Sequence, residues 1–282
     1  MNASEARPDV YSRPAARFVG DGSLEVRASA AAGCRRALWY AATGRDATDP
    51  PDDESLTVME TGRALEPVVL HAMERAGWEI DHADPAAPEE VSVEAAPNVR
   101  VVGHPDATGR MPLKPDPASE EASRIGMLLF GSAPEVEKFG AETVVEVKTR
   151  GPEAFRRWKT LGAERSHPEA VVQAAFYTYG TFGEARDAVI ATMDTGARRW
   201  DFEVVPADRV SRALEDACER LSELGRHLAL NGPDPDAVRG CPPAFPATRR
   251  LFHRMPSTPE RRRSRTPRRG RRSRRTTKRE PP

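Results

Sequence analysis

Alternating and helix-spaced apolar positions divide the chain into short strands and amphipathic helices. Strands are predicted at 91–94, 99–104, 143–149, 188–193 and 200–205. Helices are predicted at 28–44, at about 57–76, at about 166–180 and at about 207–230. This order favours a mixed α/β fold with a central mixed β-sheet flanked by helices.

Capping chemistry locates several of these ends. Ser29 is a suitable N-cap, and Gly44 a suitable end, for the first helix. Thr57-Val-Met-Glu60 and Ser166-His-Pro-Glu169 have capping-box spacing, and the second places proline in the first turn. Pro105–Gly109 has the composition of a turn after the second strand.

Composition indicates one folded domain with polar ends. Residues 1–24 are polar and are expected to be poorly ordered, 25–240 form the domain, and 112–141 have the mixed character of an insertion. Residues 241–282 end in an Arg/Ser/Pro/Thr-rich tail that is expected to be disordered. No apolar run approaches the roughly 20 residues of a bilayer span, and the N-terminus lacks a secretion pattern, so we expect a cytoplasmic protein without a membrane segment.

The formal net charge of zero hides an asymmetry. Residues 260–282 contain 12 basic and 2 acidic residues, a net charge of +10, so the other residues carry −10. We interpret the tail as a nonspecific phosphate binder, since such contacts give affinity without sequence information. A solvated charge run, or an artefact of translating a GC-rich reading frame, would give the same composition.

The candidate chemistry begins on the strand Thr143–Thr149. Side chains alternate along a strand, so Glu146 and Lys148 point to one face while Val145 and Val147 point to the other. Only 5 of the 43 basic residues are lysines, and an ammonium is a compact charge that can sit beside an attacking water. An exposed ion pair on an edge strand would give the same triplet.

Other candidate residues occur in a definite order around this strand. Glu66 ends the helical segment Gly62-Arg-Ala-Leu-Glu66, and Asp106 lies in His-Pro-Asp-Ala-Thr-Gly after a predicted strand. Gln173 and Tyr177 are four residues apart on a predicted helix and therefore share a face. Each also has a plainer interpretation: a turn for Asp106, a helix-surface carboxylate for Glu66, and packing on the sheet for the helical pair.

Pro105-Asp106 together with Glu146-Val147-Lys148 resembles the PD-(D/E)xK nuclease superfamily, most closely its RecB-like and phage-exonuclease (YqaJ-type) branches. The glutamate at 66 and the Gln173-x-x-x-Tyr177 pair resemble further motifs of those branches, and the resemblance covers roughly residues 28–205. The 40 positions from Asp106 to Glu146 exceed the spacing expected for this family. We therefore treat 112–141 as an insertion able to cover or reshape the site.

Phosphodiester hydrolysis requires a nucleophilic hydroxide and neutralisation of developing negative charge, and Mg²⁺ or Mn²⁺ held by oxygen ligands provides both. Asp106, Glu146 and the Val147 carbonyl are the expected ligands, and the resemblance adds Glu66. Lys148 is expected to position and help deprotonate the water, and to stabilise the developing charge. Gln173 and Tyr177 would orient the DNA strand or brace the active-site strand.

Two further groups of residues are candidates for binding. Arg35 and Arg36, with Trp39 and Tyr40, could bind DNA through phosphate contacts and stacking, but a core helix would explain them equally well. His104 next to Asp106 is a candidate ligand, although a lone histidine is more often structural.

Cys34, Cys218 and Cys241 lie far apart, which argues against a disulfide framework or a cysteine-built zinc site. The CRISPR-adaptation exonucleases of this group hold an iron–sulfur cluster with one early and three late cysteines. Here two of the late cysteines are missing, so no cluster is expected.

The resemblance implies a divalent-metal-dependent deoxyribonuclease, an exonuclease rather than an endonuclease, acting in DNA recombination, repair or phage DNA processing. DNA is the expected partner, with a recombinase, single-strand-binding protein or helicase as candidate protein partners and an oligomer left open. One rival is a non-catalytic nucleic-acid-binding or recombination-accessory module on the same fold. Another is a packaging protein with chance motifs, which predicts that Asp106 and Glu146 lie far apart.

Overall fold

The computed structural model describes residues 14–45, 50–83, 89–113 and 139–231. Within these ranges the chain forms two mixed β-sheets flanked by helices, which confirms the mixed α/β class. The strands are Ala16–Phe18 (β1), Leu24–Arg27 (β2), Glu79–His82 (β3), Val91–Ala96 (β4), Val99–Gly103 (β5), Ala107–Pro112 (β6), Phe139–Arg150 (β7), Ala188–Asp194 (β8) and Arg199–Val205 (β9). The α-helices are Arg35–Ala42 (α1), Asp53–Arg75 (α2), Pro152–Leu161 (α3), Ala163–Ser166 (α4), Pro168–Phe182 (α5) and Ala207–Asn231 (α6), with a 3₁₀ turn at Ala28–Ala30.

Strand β7 is the centre of the five-stranded sheet, whose order is β3-β6-β7-β8-β9. It pairs antiparallel with β6 and parallel with β8. Val145 and Val147 on one face of β7 pack with Met73 of α2, whereas Val144 on the other face packs with Phe176 of α5. The strand is therefore covered on both faces, as expected for a central strand beside a parallel neighbour.

The second sheet has four strands in the order β1-β2-β5-β4, with β2 and β5 parallel. Its apolar face contributes Leu24, Val26 and Val101 to the same core that receives Val144 of β7. Helix α5 is buried along most of its length between this core and a second apolar cluster that includes α3 and β8 residues, and α6 packs against α5 and β4. As a result, α5 is fixed from several directions before any of its polar side chains is considered.

Two boundaries differ from expectation near the N-terminus. Strand β1 lies inside the stretch 1–24 that was expected to be poorly ordered, because Ala16 is buried and β1 pairs with β2. Residues 1–13 lie outside the described residues. The first helix is also shorter than predicted: a 3₁₀ turn precedes α1, whose N-cap position is Cys34.

Helix α2 begins at Asp53, four residues before the predicted Thr57. The Asp52 carboxylate accepts a hydrogen bond from the Ser55 amide at 2.8 Å, so this acidic residue caps the helix. The Thr57 hydroxyl instead donates to the Asp53 carbonyl within the helix. An earlier cap therefore replaces the predicted capping box.

The predicted turn at 105–109 and insertion at 112–141 also change. Ala107 begins β6, and β6 forms a hairpin with β7 in which Pro112 pairs with Phe139. The two ends of the expected insertion are thus strand residues, while 114–138 lie outside the described residues. The expected disordered tail at 241–282 also lies outside them.

The cysteines differ from expectation at one position. Cys34 is disulfide-bonded, whereas Cys218 is a free thiol. Spacing along the chain cannot exclude such a bond, because a disulfide requires proximity in space only. Separately, the described residues contain no helix that combines the length and apolar character of a bilayer span.

Candidate active site

The β6–β7 hairpin brings Asp106 next to Glu146. Ala107 pairs with Val145 in the antiparallel ladder, so the next position along each strand sets Asp106 opposite Glu146. Opposed residues in such a pair have Cβ atoms roughly 5 Å apart. Asp106 Oδ2 also accepts a hydrogen bond from the Val147 amide at 2.8 Å. This arrangement contradicts the chance-motif interpretation, which required the two carboxylates to be far apart.

Strand β7 continues beyond the end of β6, and this leaves a gap in the sheet beside 146–150. In the described part of the chain, that edge of β7 has no ladder partner after Val145. The Val147 amide points into the gap, where Asp106 accepts its hydrogen bond. Because the amide and carbonyl of one strand residue point to the same edge, the Val147 carbonyl is directed there too. We call this gap, with Asp106, Glu146, Lys148 and Glu66 around it, the β7 notch.

Glu146 is completely buried, with a relative exposure of 0%. One of its carboxylate oxygens accepts a hydrogen bond from the Lys148 ammonium, as the alternation along β7 predicts. The other oxygen, Oε2, is buried and has no hydrogen-bond partner. Burying a carboxylate oxygen without a hydrogen-bond partner costs free energy. A cation or a hydrogen-bond donor placed in the notch would remove that cost.

Gln173 and Tyr177 share one face of α5, and that face meets the Glu146 side of β7. Gln173 accepts a hydrogen bond from Lys148 Nζ through its amide oxygen at 3.2 Å and donates through its nitrogen to the Tyr177 hydroxyl at 3.1 Å. A Cβ at Gly103 would lie 2.7 Å from a Tyr177 ring carbon, so glycine is what admits the ring there. The pair therefore links Lys148 to the buried core of α5.

Helix α2 brings Glu66 to the notch by a close approach to β7. A Cβ at Gly62 would lie 2.7 Å from Thr149 Oγ1, which shows how near the helix comes at that point. Glu66 follows one turn later and interacts electrostatically with Asp106 and Lys148. Gly62 thus allows α2 to approach β7 closely enough to bring Glu66 to the notch.

The three carboxyl groups hold their protons unusually well. Burial, reinforced by the negative charge of Asp106, raises the pKa of Glu146 to about 8 and that of Glu66 to about 7. Burial also raises the pKa of Asp106. Burial acts against the charged Lys148 ammonium, but Glu146 and Asp106 outweigh it and raise the pKa of Lys148. The notch therefore favours additional positive charge near its carboxylates.

The candidate DNA-binding residues of α1 make contacts away from the β7 notch. Arg35 forms an ion pair with Glu223 of α6, and Arg36 donates to the Tyr40 hydroxyl at 2.7 Å. Trp39 has an exposure of 0% and belongs to the core, so the proposal that it stacks on bases is wrong. These contacts favour the core-helix interpretation for α1.

His104, the candidate ligand next to Asp106, has its own contacts. Its Nδ1 lies 3.1 Å from the Glu89 carbonyl oxygen, and its Nε2 lies 3.6 Å from the Glu90 carboxylate. These contacts support the structural interpretation of this histidine.

Three residues near the notch escaped sequence reasoning. Arg63 of α2 acts electrostatically on both Glu66 and Asp106. Arg150 continues the alternation of 146 and 148 along β7, a signal that could have found it, and its guanidinium lies 3.6 Å from Glu169. His167 precedes α5, and burial together with Arg150 lowers its pKa to about 4. Arg63 and Arg150 add positive charge near the notch, and such charge attracts a phosphate, whereas the His167 ring is neutral at pH 7.

No protein-family model matches the chain, and no curated protein matches it in sequence. Among solved structures the chain is similar to an alkaline exonuclease, LHK-Exo, from Laribacter hongkongensis. The similarity has a TM-score of 0.35 and 12% sequence identity, and covers 73% of this chain and 94% of that chain. At that distance the interpretation of the site rests on its own geometry.

Proposed function

We propose that this chain is a divalent-metal-dependent DNA nuclease whose active site is the β7 notch. One observation carries the proposal: Glu146 is buried with its Oε2 unpartnered, beside two further acidic groups and an ammonium. A cation in the notch would satisfy that oxygen and offset the burial and the carboxylate repulsion that raise the pKa values of Glu146 and Glu66.

The donors in the notch fit a hard cation. Asp106, Glu146 and Glu66 offer carboxylate oxygens, and Val147 offers a backbone carbonyl directed to the same gap. Mg²⁺ and Mn²⁺ prefer such oxygen ligands, whereas a soft ion would require thiolates. When bound, the ion would supply charge neutralisation at a phosphate oxygen and lower the pKa of a bound water.

Lys148 would act on the attacking water and on the phosphate. Its pKa is raised by Glu146 and Asp106 against the effect of burial, so the side chain remains an ammonium at neutral pH. Hydrogen bonds to Glu146 and Gln173 fix the ammonium beside the carboxylates. Held there, it would position the attacking water and stabilise negative charge on the phosphate oxygens as it develops. The expected role in deprotonating the water stays a prediction.

Gln173 and Tyr177 would serve as positioning residues. The amide of Gln173 holds Lys148 on one side and the Tyr177 hydroxyl on the other. The Tyr177 ring is buried against Gly103, three residues before Asp106. These contacts connect α5 to both halves of the acidic pair and support a bracing role for the helical pair.

The exonuclease mode, and a place in DNA recombination, repair or phage DNA processing, come from the PD-(D/E)xK resemblance. The rival is a nucleic-acid-binding module without turnover. A binding surface needs exposed positive charge, whereas the notch buries Glu146 and one unpartnered oxygen at a free-energy cost. A bound metal ion would offset that cost by coordinating Glu146. The geometry therefore supports a metal-dependent nuclease over a binding module without turnover.

A cleavage assay separates the two readings. Labelled linear and circular DNA are incubated with the full-length protein in Mg²⁺ or in chelator, and DNA binding is measured separately by fluorescence anisotropy without metal. The exonuclease proposal expects metal-dependent loss of linear DNA only. Lys148→Ala and Asp106→Asn should abolish cleavage while binding persists.

Lys159→Ala is the matched control for Lys148. Lys159 also pairs with an acidic residue, Asp201, but on α3 and in a more exposed position, so the control should cleave like the wild type. Digestion by Lys148→Ala and Asp106→Asn at the wild-type rate would remove the notch as the active site. Tight binding with no cleavage under any divalent ion would favour the rival.

A further inference from the structure

A second group of metal-ligating side chains lies at the C-terminal part of α2. His71 and Glu74 are three residues apart on this helix and share a face, and His82 is the last residue of β3. One ligand atom from each of the three lies within 4.8 Å of the others, and all three residues are exposed. The group contains two imidazoles and a carboxylate, unlike the oxygen donors of the β7 notch.

A hydrogen bond and a ring contact hold the three side chains together. His82 Nε2 lies 2.8 Å from Glu74 Oε1, and the rings of His71 and His82 have centroids 5.2 Å apart. An ion about 2.0–2.1 Å from each donor in tetrahedral geometry needs ligand atoms roughly 3.4 Å apart. The 2.8 Å distance and the 4.8 Å upper limit for the other ligand-atom pairs lie on either side of that value, so small rotations of exposed side chains would suffice.

The orientation of His71 is an independent sign of ligation. Its Nδ1 lies 2.6 Å from the Pro67 carbonyl oxygen, which can only accept, so Nδ1 carries the proton and donates. The lone pair is then on Nε2, the outer nitrogen. Metal-binding histidines characteristically donate their second ring nitrogen to a carbonyl or carboxylate in this way.

His104 shows what a simple histidine–carboxylate pair looks like in this chain. Its Nδ1 lies 3.1 Å from the Glu89 carbonyl oxygen, and its Nε2 lies 3.6 Å from a Glu90 oxygen. The group at His71, Glu74 and His82 differs because a second imidazole converges on the same carboxylate. A third donor of this kind is absent from the contacts of His104.

We propose that His71, Glu74 and His82 bind a Zn²⁺ ion that joins α2 to β3. Imidazole nitrogen with carboxylate oxygen suits Zn²⁺ better than Mg²⁺, which prefers oxygen alone. Three protein donors leave one position for water. The proposal is independent of the nuclease activity, and it uses none of the residues of the β7 notch.

The ion would clamp two elements that lead to the notch. Helix α2 also carries Glu66, and His82 pairs with Ala107, the residue after Asp106. Zn²⁺ at the corner would therefore hold the helix and the strand pair in one relative position. Thermal stability should rise with Zn²⁺ because the bound ion favours the folded state.

The test measures Zn²⁺ binding to the full-length protein in the presence of excess Mg²⁺, which occupies the oxygen site. Zn²⁺ affinity is measured by competition with a chromophoric chelator, and Co²⁺ is used as a spectroscopic probe of nitrogen and oxygen ligation. Wild type should bind one equivalent of Zn²⁺. The His71→Ala and His82→Ala variants should bind Zn²⁺ at least about tenfold more weakly, because even the loss of a residue that only supports a ligand lowers metal affinity about 10–100-fold. Glu74→Gln should weaken binding as well.

His104→Ala is the matched control and should retain the wild-type affinity and the Zn²⁺-dependent rise in Tm. All three proposed ligands are exposed, and circular dichroism checks that the variants fold. The proposal is overturned if wild type binds no Zn²⁺ in excess Mg²⁺, or if His71→Ala and His82→Ala bind it as wild type does.

Discussion

Replacing Glu146 by glutamine should stabilise the metal-free protein at neutral pH. The carboxyl is fully buried, and burial with the charge of Asp106 raises its pKa from 4.5 to about 8. Since a tenfold change in proton affinity is worth about 1.4 kcal/mol, the folded protein opposes ionisation of this group by roughly 5 kcal/mol. Glutamine has nearly the same shape and no charge to ionise.

The sign of the pH dependence follows from proton linkage. A carboxyl with a raised pKa binds its proton more tightly in the folded state, so stability is highest below the unfolded value of 4.5 and falls as pH rises toward about 8. About 3 kcal/mol of that loss should have accumulated by pH 7. Glu66 and Asp106, whose pKa values are also raised, act in the same direction.

The measurement is urea denaturation of both proteins in chelator at pH 5 and pH 7. The advantage of Glu146→Gln should widen by roughly 2–3 kcal/mol between the two. Glu94→Gln, an exposed glutamate on β4, is the matched control and should follow wild type. Parallel profiles for Glu146→Gln and wild type would refute the argument that the notch holds a desolvated carboxyl. Saturating Mg²⁺ should stabilise wild type and leave the variant nearly unchanged.

Four further outcomes are expected. Gly103→Ala should cost about 1–3 kcal/mol in urea denaturation and slow cleavage, because its methyl would lie 2.7 Å from the Tyr177 ring. Trp39→Ala should cost about 3–5 kcal/mol without changing the DNA affinity of the folded fraction, since the side chain is in the core. Burial lowers the pKa of His167 to about 4, so an NMR titration should find a neutral ring at pH 5, and the stability it contributes should be lost as pH falls from 6.5 to 4. Deleting 257–282 should weaken DNA binding and flatten its salt dependence, and an unchanged slope would make the tail irrelevant to binding.

The parts of the site predicted from the sequence are those governed by local periodicity. Alternation along β7 placed Glu146 and Lys148 on one face, where they form an ion pair. The four-residue spacing on α5 placed Gln173 and Tyr177 together, where they share a hydrogen bond. Both patterns act within one element, so no tertiary information was needed.

The parts that escaped prediction depend on pairing between distant segments. Strand β2 is four residues long and is stabilised by a parallel partner, β5, that lies some 75 positions later. Strand β3 is an exposed edge with almost no apolar alternation, and β6 contains glycine and proline, which are poor strand formers. The stretch 105–109 therefore looked like a turn, although Ala107, the residue after Asp106, begins a strand that pairs with β7. Arg63 gave no signal because its relation to Asp106 arises only when α2 lies against the sheet.

Because β6 and β7 form a hairpin, the distance in space between Asp106 and Glu146 does not depend on the number of residues between them. Asp106 lies directly before the first residue of β6, and Pro112 is the last residue of the strand. The segment between β6 and β7 follows Pro112. At about 3.3 Å per strand residue, the base of that segment is roughly 20 Å from the acidic pair. Insertions at that end of the hairpin can lengthen the chain between Asp106 and Glu146 without altering how the two carboxylates meet. A motif search in such proteins should therefore compare positions that pair across two strands, rather than the number of residues between them in the sequence.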